Sequence, residues 1–216
     1  MTASLLQLLT DRIAGDGRSL AAGVVIGVVT NNVDPEGMAR VKVKFPWLTD
    51  LDESFWARVA APMAGNDRGI YFLPEVDDEV LVMFAHGNVR FPYIIGSLWS
   101  GKDKAPAGNE DGENNVRLIK SRSGHVIKLD DTQGKERIEI IDAMGRNRIA
   151  IDTATRCITI EADRDIVLAA PNGSIKLAAN TIAISASTGG ELSAGDTMTV
   201  QAGERLDVIG KTVNIN

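Results

Sequence analysis

The second half of the chain is an internal repeat of very short apolar units, and this repeat restricts the fold more than any other feature. From Val126 onward, two apolar residues separated by one other residue recur about every eleven residues, and about every eight from Ile158. The pairs are Ile127/Leu129, Ile138/Ile140, Ile149/Ile151, Ile158/Ile160, Ile166/Leu168, Ile175/Leu177, Ile182/Ile184, Met198/Val200, Leu206/Val208 and Val213/Ile215. Regular repetition of this kind predicts an elongated, stacked architecture.

Each repeat unit is too small to enclose a core of its own. Eight extended residues span about 26 Å at ~3.3 Å per residue, which is enough for one face of a prism. Three chains wound together would each supply one face, so the repeat predicts an intertwined trimeric β-helix, a β-prism needle, over 119–216. A single-chain β-helix is the alternative. The predicted trimer-axis residues are Ile149, Ile151, Ile158, Ile160, Ile166, Leu168, Ile175, Leu177, Ile182, Ile184, Val213 and Ile215.

The first half of the chain predicts a compact β domain over 21–100. Ala39–Phe45 alternates apolar with basic side chains, as a strand with one buried face does. Turn residues separate it from short apolar stretches at 24–29, 56–60, 79–84 and 92–98. Five or six short strands in about 80 residues predict a small barrel. Residues 101–118, which include a stretch rich in Gly, Asn and charged residues, predict a linker.

The first 20 residues predict a docking segment. Leu5, Leu8 and Leu9 follow the i, i+3, i+4 spacing of one face of a short helix. A frayed terminus, or a helix packed on its own domain, is the alternative. The segment lacks the basic leader of a secretory signal, and no window reaches the ~18 apolar residues of a membrane span.

Charge and composition argue against several functional classes. The net charge is −6, and residues 1–100 carry 8 basic and 12 acidic residues, which argues against binding driven by nucleic-acid phosphates. Arg40, Lys42 and Lys44 share one strand face, and an outward face or a subunit contact is the favoured interpretation. Cys157 is the one cysteine, and the histidines are His86 and His125. The sequence therefore predicts no metal site and no cofactor.

The sequence shows no arrangement of residues that is typical of a catalytic site. Asp77, Asp78 and Glu79 could serve acid–base chemistry, but they lie at a predicted turn before a strand, where solvated acids are common. His125 has no evident nucleophile or acid partner, and no G-x-S-x-G motif is present. We expect the protein not to be an enzyme.

Several motifs of the first domain resemble one known family. Gly37–Trp47, which reads GMARVKVKFPW, is similar to the OB-fold domain of central spike proteins of contractile injection systems. These are the VgrG-like spikes of type VI secretion and the spikes like phage baseplate assembly protein V. The similarity continues through Phe55–Ala60, Leu73–Val82 and Ile95–Trp99, and Ser121–His125 resembles the family's entry into its needle.

The resemblance implies a fold and a function. The expected fold is all-β, an OB-fold barrel followed by the trimeric needle. The expected protein is a structural homotrimer at the centre of a baseplate, which punctures a target envelope when a sheath contracts. The alternative is a carbohydrate-binding or carbohydrate-degrading β-helix of the phage-fibre type. That alternative needs aromatic side chains in the repeat, and residues 101–216 contain no Phe, Tyr or Trp.

The resemblance also implies partners. Only about 20 residues precede the barrel, so a separate hub or baseplate protein is expected to bind Leu5, Leu8 and Leu9. A PAAR-like tip protein is expected at Val213, Asn214, Ile215 and Asn216, where no histidine is available to hold a metal. No nucleic-acid partner is expected, and the target membrane is met only on firing. The expected place of assembly is the cytoplasm, within a phage tail-like particle that is then a virion, extracellular or cell-anchored.

Overall fold

The secondary structure is almost entirely β. The computed structural model describes residues 23–46 and 53–214, which divide into one unit ending at Glu161 and another beginning at Ala162. Within these ranges all regular elements are strands, apart from one turn of 3-10 helix at Ala85–Gly87. None of the described residues form a helix that is long and apolar enough to cross a membrane. The predicted all-β class is confirmed.

Five strands of the first unit close into a barrel. The strands up to residue 98 are β1 (Val24–Asn31), β2 (Arg40–Lys44), β3 (Ala57–Val59), β4 (Ala64–Gly65), β5 (Arg68–Gly69), β6 (Glu79–Phe84) and β7 (Pro92–Leu98). The order around the barrel is β1-β2-β3-β7-β6, and β4 and β5 form a separate hairpin. Only the β3–β7 pair of the barrel is parallel. This small closed barrel confirms the predicted OB-fold domain.

The core of the barrel follows from the alternation in its strands. On β2, Val41 and Val43 are buried, while Arg40, Lys42 and Lys44 alternate with them on the outer face. The same alternation buries Val80 and Val82 on β6. Phe45 packs against Phe84 with 5.9 Å between the ring centroids. Strands of this length with one apolar face close around a core one side chain deep.

A second sheet follows the barrel in the same unit. Its strands are β8 (Val116–Lys120), β9 (Val126–Asp130), β10 (Arg137–Ile141), β11 (Arg148–Asp152) and β12 (Cys157–Glu161), paired in sequence order and all antiparallel. β8 begins at Val116, three residues before the predicted start of the needle. The eleven-residue spacing is the sum of a five-residue strand and a six-residue connection, as at 131–136 and 142–147.

Residues 162–214 contain neither helix nor strand, and nearly all of their side chains are exposed. The eight-residue spacing therefore produces no ladder of hydrogen bonds within one chain, in contrast to the eleven-residue spacing. The short strands expected at the later apolar pairs are not formed by the single chain, and the intertwined β-helix stays a prediction.

Gly27 on β1 offers a test of the barrel core. A Cβ atom there would lie 3.2 Å from Val43 Cβ and 3.2 Å from Val82 Cγ2, whereas one at Gly96 on β7 would meet nothing within 4 Å. We expect Gly27→Val to destabilise the barrel by about 1–3 kcal/mol through overpacking, and Gly96→Val to be near neutral. Urea unfolding followed by tryptophan fluorescence measures both. Equal midpoints for the two variants would contradict this description of the core.

Candidate interaction surfaces

The five-stranded sheet has one almost wholly apolar face. The second and fourth residues of each strand point to this face. The pairing register places them opposite each other on neighbouring strands, so that they form two rows across the sheet. Ile151 pairs with Ile138 and Ile158, and Ile149 pairs with Ile140 and Ile160. We call the set the Ile face: Ile119, Ile127, Leu129, Ile138, Ile140, Ile149, Ile151, Ile158 and Ile160. These side chains are 42–68% exposed.

The opposite face of the same sheet is polar, and its charged side chains form ion pairs within the chain. Glu139 is only 6% exposed, since Lys128, Arg137 and Arg148 lie around it with N–O distances of 3.4–4.0 Å. Asp130 accepts hydrogen bonds from the Thr132 hydroxyl and from Lys128 Nζ, which hold its pKa well below the usual range.

Burial on this sheet is therefore inverted. The charged face is covered by its own side chains, whereas nine large aliphatic side chains meet solvent. A contiguous apolar surface of this size marks an interaction site in a soluble protein. The Ile face is the principal candidate site of the molecule.

The connections of the sheet are held by local hydrogen bonds. Asp142 accepts from the backbone N–H groups of Arg146 and Asn147, and these bonds lower its pKa. His125 Nδ1 accepts from the Ala143 N–H at 3.1 Å. His125 thus ties two neighbouring turns together at the edge of the Ile face, which gives this histidine a structural role.

The predicted trimer-axis residues fall into two groups. Ile149, Ile151, Ile158 and Ile160 lie together on the Ile face. Those in the second unit have no strand around them and are 45–82% exposed: Ile166, Leu168, Ile175, Leu177, Ile182, Ile184 and Val213. Their role at a threefold axis stays a prediction.

Several predicted residues lie outside the described ranges. These are Leu5, Leu8 and Leu9 of the docking segment, with Ile215 and Asn216 of the tip. Asn214 is described and exposed.

Five members of the Ile face were not among the predicted axis residues: Ile119, Ile127, Leu129, Ile138 and Ile140. The signal for four of them was present in the spacing, because Ile127, Ile138, Ile149 and Ile160 are each eleven residues apart, and so are Leu129, Ile140 and Ile151. Ile119 precedes the first full repeat, and its position on the face is set by pairing with Ile127.

A second surface lies on the outside of the barrel, over β2, β3 and β7. Arg40 pairs with Arg58 across β2–β3, and Arg58 pairs with Tyr93 across β3–β7. Arg40 Cζ lies 5.7 Å and Lys42 Nζ 5.5 Å from the ring centroid of Trp56. The shared face predicted for the basic residues of β2 is therefore observed.

Carboxylates offset much of the positive charge of this barrel surface. Arg40 Nε and Nη2 donate to the two oxygens of Asp34 at 2.8 and 2.7 Å. Lys42 donates to Glu53 at 3.0 Å and lowers its pKa. Asp34 also accepts from the backbone N–H groups of Glu36 and Met38, so that it fixes the β1–β2 loop. This pairing favours a structural or protein-contact role for the surface over phosphate binding.

The acids and the histidine considered for catalysis do not assemble into a site with each other or with Cys157. Asp77 and Asp78 lie in the predicted turn, where Asp78 accepts a hydrogen bond from the Glu75 N–H. His86 lies in the 3-10 turn. Cys157 is exposed beside Thr159 on the polar face, away from its neighbour Ile158, because successive residues of a strand face opposite sides. Within 23–46 and 53–214, no three metal-ligating side chains come together.

Comparison with known proteins agrees with the barrel. Residues 25–99 match the family model of the type VI secretion system/phage-baseplate injector OB domain. The chain is 30% identical over 131 residues to the type VI secretion system spike protein VgrG3 of Vibrio cholerae. It is 29% identical over 126 residues to VgrG2a and 25% identical over 134 residues to VgrG1a, both spike proteins of Pseudomonas aeruginosa.

These alignments include 54–57% of this chain but only 13–21% of the three relatives. The chain therefore spans about a fifth or less of the length of the curated relatives it matches. The resemblance to VgrG-like and phage-baseplate spike proteins, which the barrel motifs indicate, is confirmed. The relatives are named as spikes rather than as enzymes.

The Asp34–Arg40 pair gives a pH-dependent prediction. The Arg40 guanidinium and the surrounding backbone N–H groups hold the pKa of Asp34 well below its usual range. A carboxylate with a lowered folded-state pKa contributes stability above its unfolded pKa of ~3.9, and this stability is lost as pH falls. We expect Asp34→Asn to lower the melting temperature at about pH 7 and the difference from the native chain to shrink below about pH 4. A difference that stays constant down to about pH 2 would contradict the pairing.

Proposed function

We propose that this protein is the central spike of a contractile phage tail-like injection machine, in which three copies form a needle. The observation that carries the proposal is the exposed Ile face. Covering half of a large aliphatic side chain is worth on the order of 1 kcal/mol, and each chain offers nine of them. Three copies that turn this face inward would cover all of them at once.

The dimensions of the sheet fit such a prism. A five-residue strand is ~16 Å long, so three sheets set edge to edge would enclose a triangle with sides of ~16 Å. The centre of that triangle is ~5 Å from each sheet, which is half the ~10 Å between packed sheets. One layer of Ile and Leu side chains from each sheet fills that depth.

Residues 162–216 are proposed to wind around the same residues of the other two copies. Within residues 162–214, the backbone N–H and C=O groups have no strand partner in the single chain, and the apolar pairs recur at a spacing that yields no hairpins. Backbone groups need hydrogen-bond partners in any folded state. Strands supplied by the other two chains would meet this requirement and would bury Ile166, Ile175, Ile182 and their neighbours on the axis.

The proposed mechanism is mechanical and involves no catalytic step. When a sheath contracts, the narrow needle concentrates the force on a target envelope and punctures it. Interchain hydrogen bonds and the continuous apolar axis would give the needle its rigidity. The absence of aromatic side chains from residues 101–216 is consistent with a rod rather than with a sugar-binding groove.

We propose one partner for each of two segments of the chain, on the resemblance to spike proteins. A separate hub or baseplate protein binds the docking segment through Leu5, Leu8 and Leu9. A PAAR-like tip protein binds Val213–Asn216. Assembly takes place in the cytoplasm within a phage tail-like particle, and the target membrane is contacted only on firing.

Sedimentation of the full-length chain tests the assembly directly. We expect a trimer that persists over about a thousandfold dilution, because the Ile face has no cover within one chain. Negative-stain images should show a tapered rod. A folded monomer that remains monomeric at high concentration would remove the basis of the proposal.

Charge substitutions test which face points inward. We expect Ile160→Asp and Ile184→Asp to abolish the trimer, because threefold symmetry would gather three unpaired carboxylates in an apolar core. Thr159→Asp is the matched control, since Thr159 lies next to Ile160 but on the polar face. Trimer content by sedimentation distinguishes the three. Equal tolerance of all three substitutions would show that the strand faces are assigned wrongly.

Truncations test the two partner assignments. Removing residues 1–19 should leave a trimer that no longer joins baseplates, and ending the chain at Gly195 should abolish pull-down of a PAAR-like tip protein. The full-length chain is the control in both experiments. Normal incorporation, or undiminished tip binding, would contradict the corresponding assignment.

A further inference from the structure

A groove of about 320 Å³ lies on the outer surface of the barrel, where β2, β3 and β7 are neighbours. We call it the arginine groove, because three arginines line it: Arg40, Arg58 and Arg90. Four aromatic residues line it as well: Phe55, Trp56, Phe91 and Tyr93. No Asp or Glu among the described residues belongs to its lining. The groove therefore combines positive charge with aromatic surface.

Two of the three arginines lack a carboxylate partner. Arg40 is compensated, since its guanidinium donates to both carboxylate oxygens of Asp34. Arg58 and Arg90 are exposed, and within 23–46 and 53–214 neither side chain pairs with an Asp or Glu. Arg58 instead lies over the Tyr93 ring, with its Cζ atom 5.8 Å from the ring centroid. The groove thus holds two uncompensated positive charges.

The strand register makes an added carboxylate at the groove favourable. Arg58 on β3 lies directly opposite Arg40 on β2, and like charges at opposite positions destabilise a sheet. Asp34 offsets the charge of Arg40 only. A carboxylate from outside the chain would offset the charge of Arg58 in the same way, and the planar guanidinium is suited to hold it by two parallel hydrogen bonds.

Hydrogen bonds to the backbone hold two aromatic segments of the groove in place. The buried Ser54 hydroxyl accepts from the Val43 N–H at 3.1 Å and donates to the Phe55 carbonyl at 2.7 Å. The Phe91 N–H donates to the Asn88 carbonyl at 2.9 Å. The side chains of Phe55 and Phe91 are nevertheless 50% and 58% exposed. An ordered backbone thus presents the apolar surface, which lowers the entropic cost of binding.

The charges of the barrel indicate which class of partner fits the groove. A nucleic acid carries a negative charge at every phosphate, whereas residues 1–100 hold 8 basic and 12 acidic residues and the groove offers two uncompensated cations. A protein segment can instead place one or two carboxylates between apolar side chains. Trp, Tyr and Arg, which all line the groove, are the residue types that dominate the binding energy at protein interfaces.

We propose that the arginine groove is a docking site for an acidic segment of a separate partner protein. Carboxylates of that segment pair with Arg58 and Arg90, while its apolar side chains pack on Phe55 and Phe91. The site is complete on one barrel and does not depend on the proposed trimer. It would let the protein hold a second protein on its barrel without using the Ile face.

Selection from a library of random short peptides displayed on yeast tests the groove, with the full-length chain as the target. The affinities of the selected peptides are then measured by fluorescence anisotropy for the native chain, for Arg58→Gln with Arg90→Gln, and for Lys102→Gln with Lys104→Gln. The lysine pair is the matched control, because both lysines are exposed, follow the barrel and carry the same total charge. Melting temperatures show whether each variant is folded.

We expect the selected peptides to be enriched in Asp and Glu beside apolar residues. They should bind the double arginine variant at least about tenfold more weakly than the native chain, because its substitutions remove central contacts of the groove. Affinity for the lysine variant should stay within about twofold of the native value, since salt screens charges outside the groove. Phe91→Ser should also weaken binding, so that a folding defect in the arginine variant leaves a second measurement.

Three results would overturn the docking site. The first is a selection that yields no peptide whose binding depends on Arg58 and Arg90. The second is a set of groove-dependent peptides without acidic enrichment. The third is tighter binding of single-stranded oligodeoxythymidylate than of any selected peptide, lost in the same arginine variant, which would assign the groove to nucleic acid instead. Each of these results can occur with or without a trimer, so the proposed spike function is tested separately.

Discussion

The lateral pairing of five short antiparallel strands is the constraint on which the rest of this structure depends. Pairing gives β9, β10 and β11 a strand partner on both sides within one chain, and it forces every second side chain to one side. Because the sequence places Ile or Leu at nearly all of those positions, the result is a stable sheet with an uncovered apolar face. The proposed trimer follows from that residual face. The chain makes the hydrogen bonds of a folded sheet but leaves the side chains of the Ile face 42–68% exposed.

The two repeat spacings divide the predicted needle into parts with different sources of stability. Eleven residues accommodate a strand and a reversing connection, so the chain pairs with itself. Where the spacing falls to about eight residues, in 162–214, no strand forms within one chain. In the proposed trimer, the strands of that part form by hydrogen bonds to other chains. Assembly would then be a condition for the folding of residues 162–214 and a consequence of the folding of the five-stranded sheet.

Much of the fold could be predicted from the sequence, because alternation is a local signal. The alternation of apolar and basic residues in Ala39–Phe45 predicted β2 and the burial of its valines. Turn residues between the apolar stretches predicted where the other barrel strands are separated. The eleven-residue spacing of Ile127, Ile138, Ile149 and Ile160 indicated repeated strands. It did not indicate that neighbouring strands are antiparallel, because the connections decide strand direction and their sequences show no regular pattern. The exposed residues Tyr71 and Phe72 follow the β4–β5 hairpin, and no periodic pattern indicates that they face away from the core.

Amide hydrogen exchange of the full-length protein tests the central claim most directly, because it reports on backbone groups that have no strand partner in one chain. If three copies intertwine, amides at the repeated apolar pairs between Ile166 and Val213 will be protected to about the same degree as those of β9 to β11. Their protection will disappear together with the trimer in Ile160→Asp. Exchange of residues 162–214 at the rate of an unstructured peptide, in a sample where the barrel and the five-stranded sheet are protected, would contradict the intertwined needle.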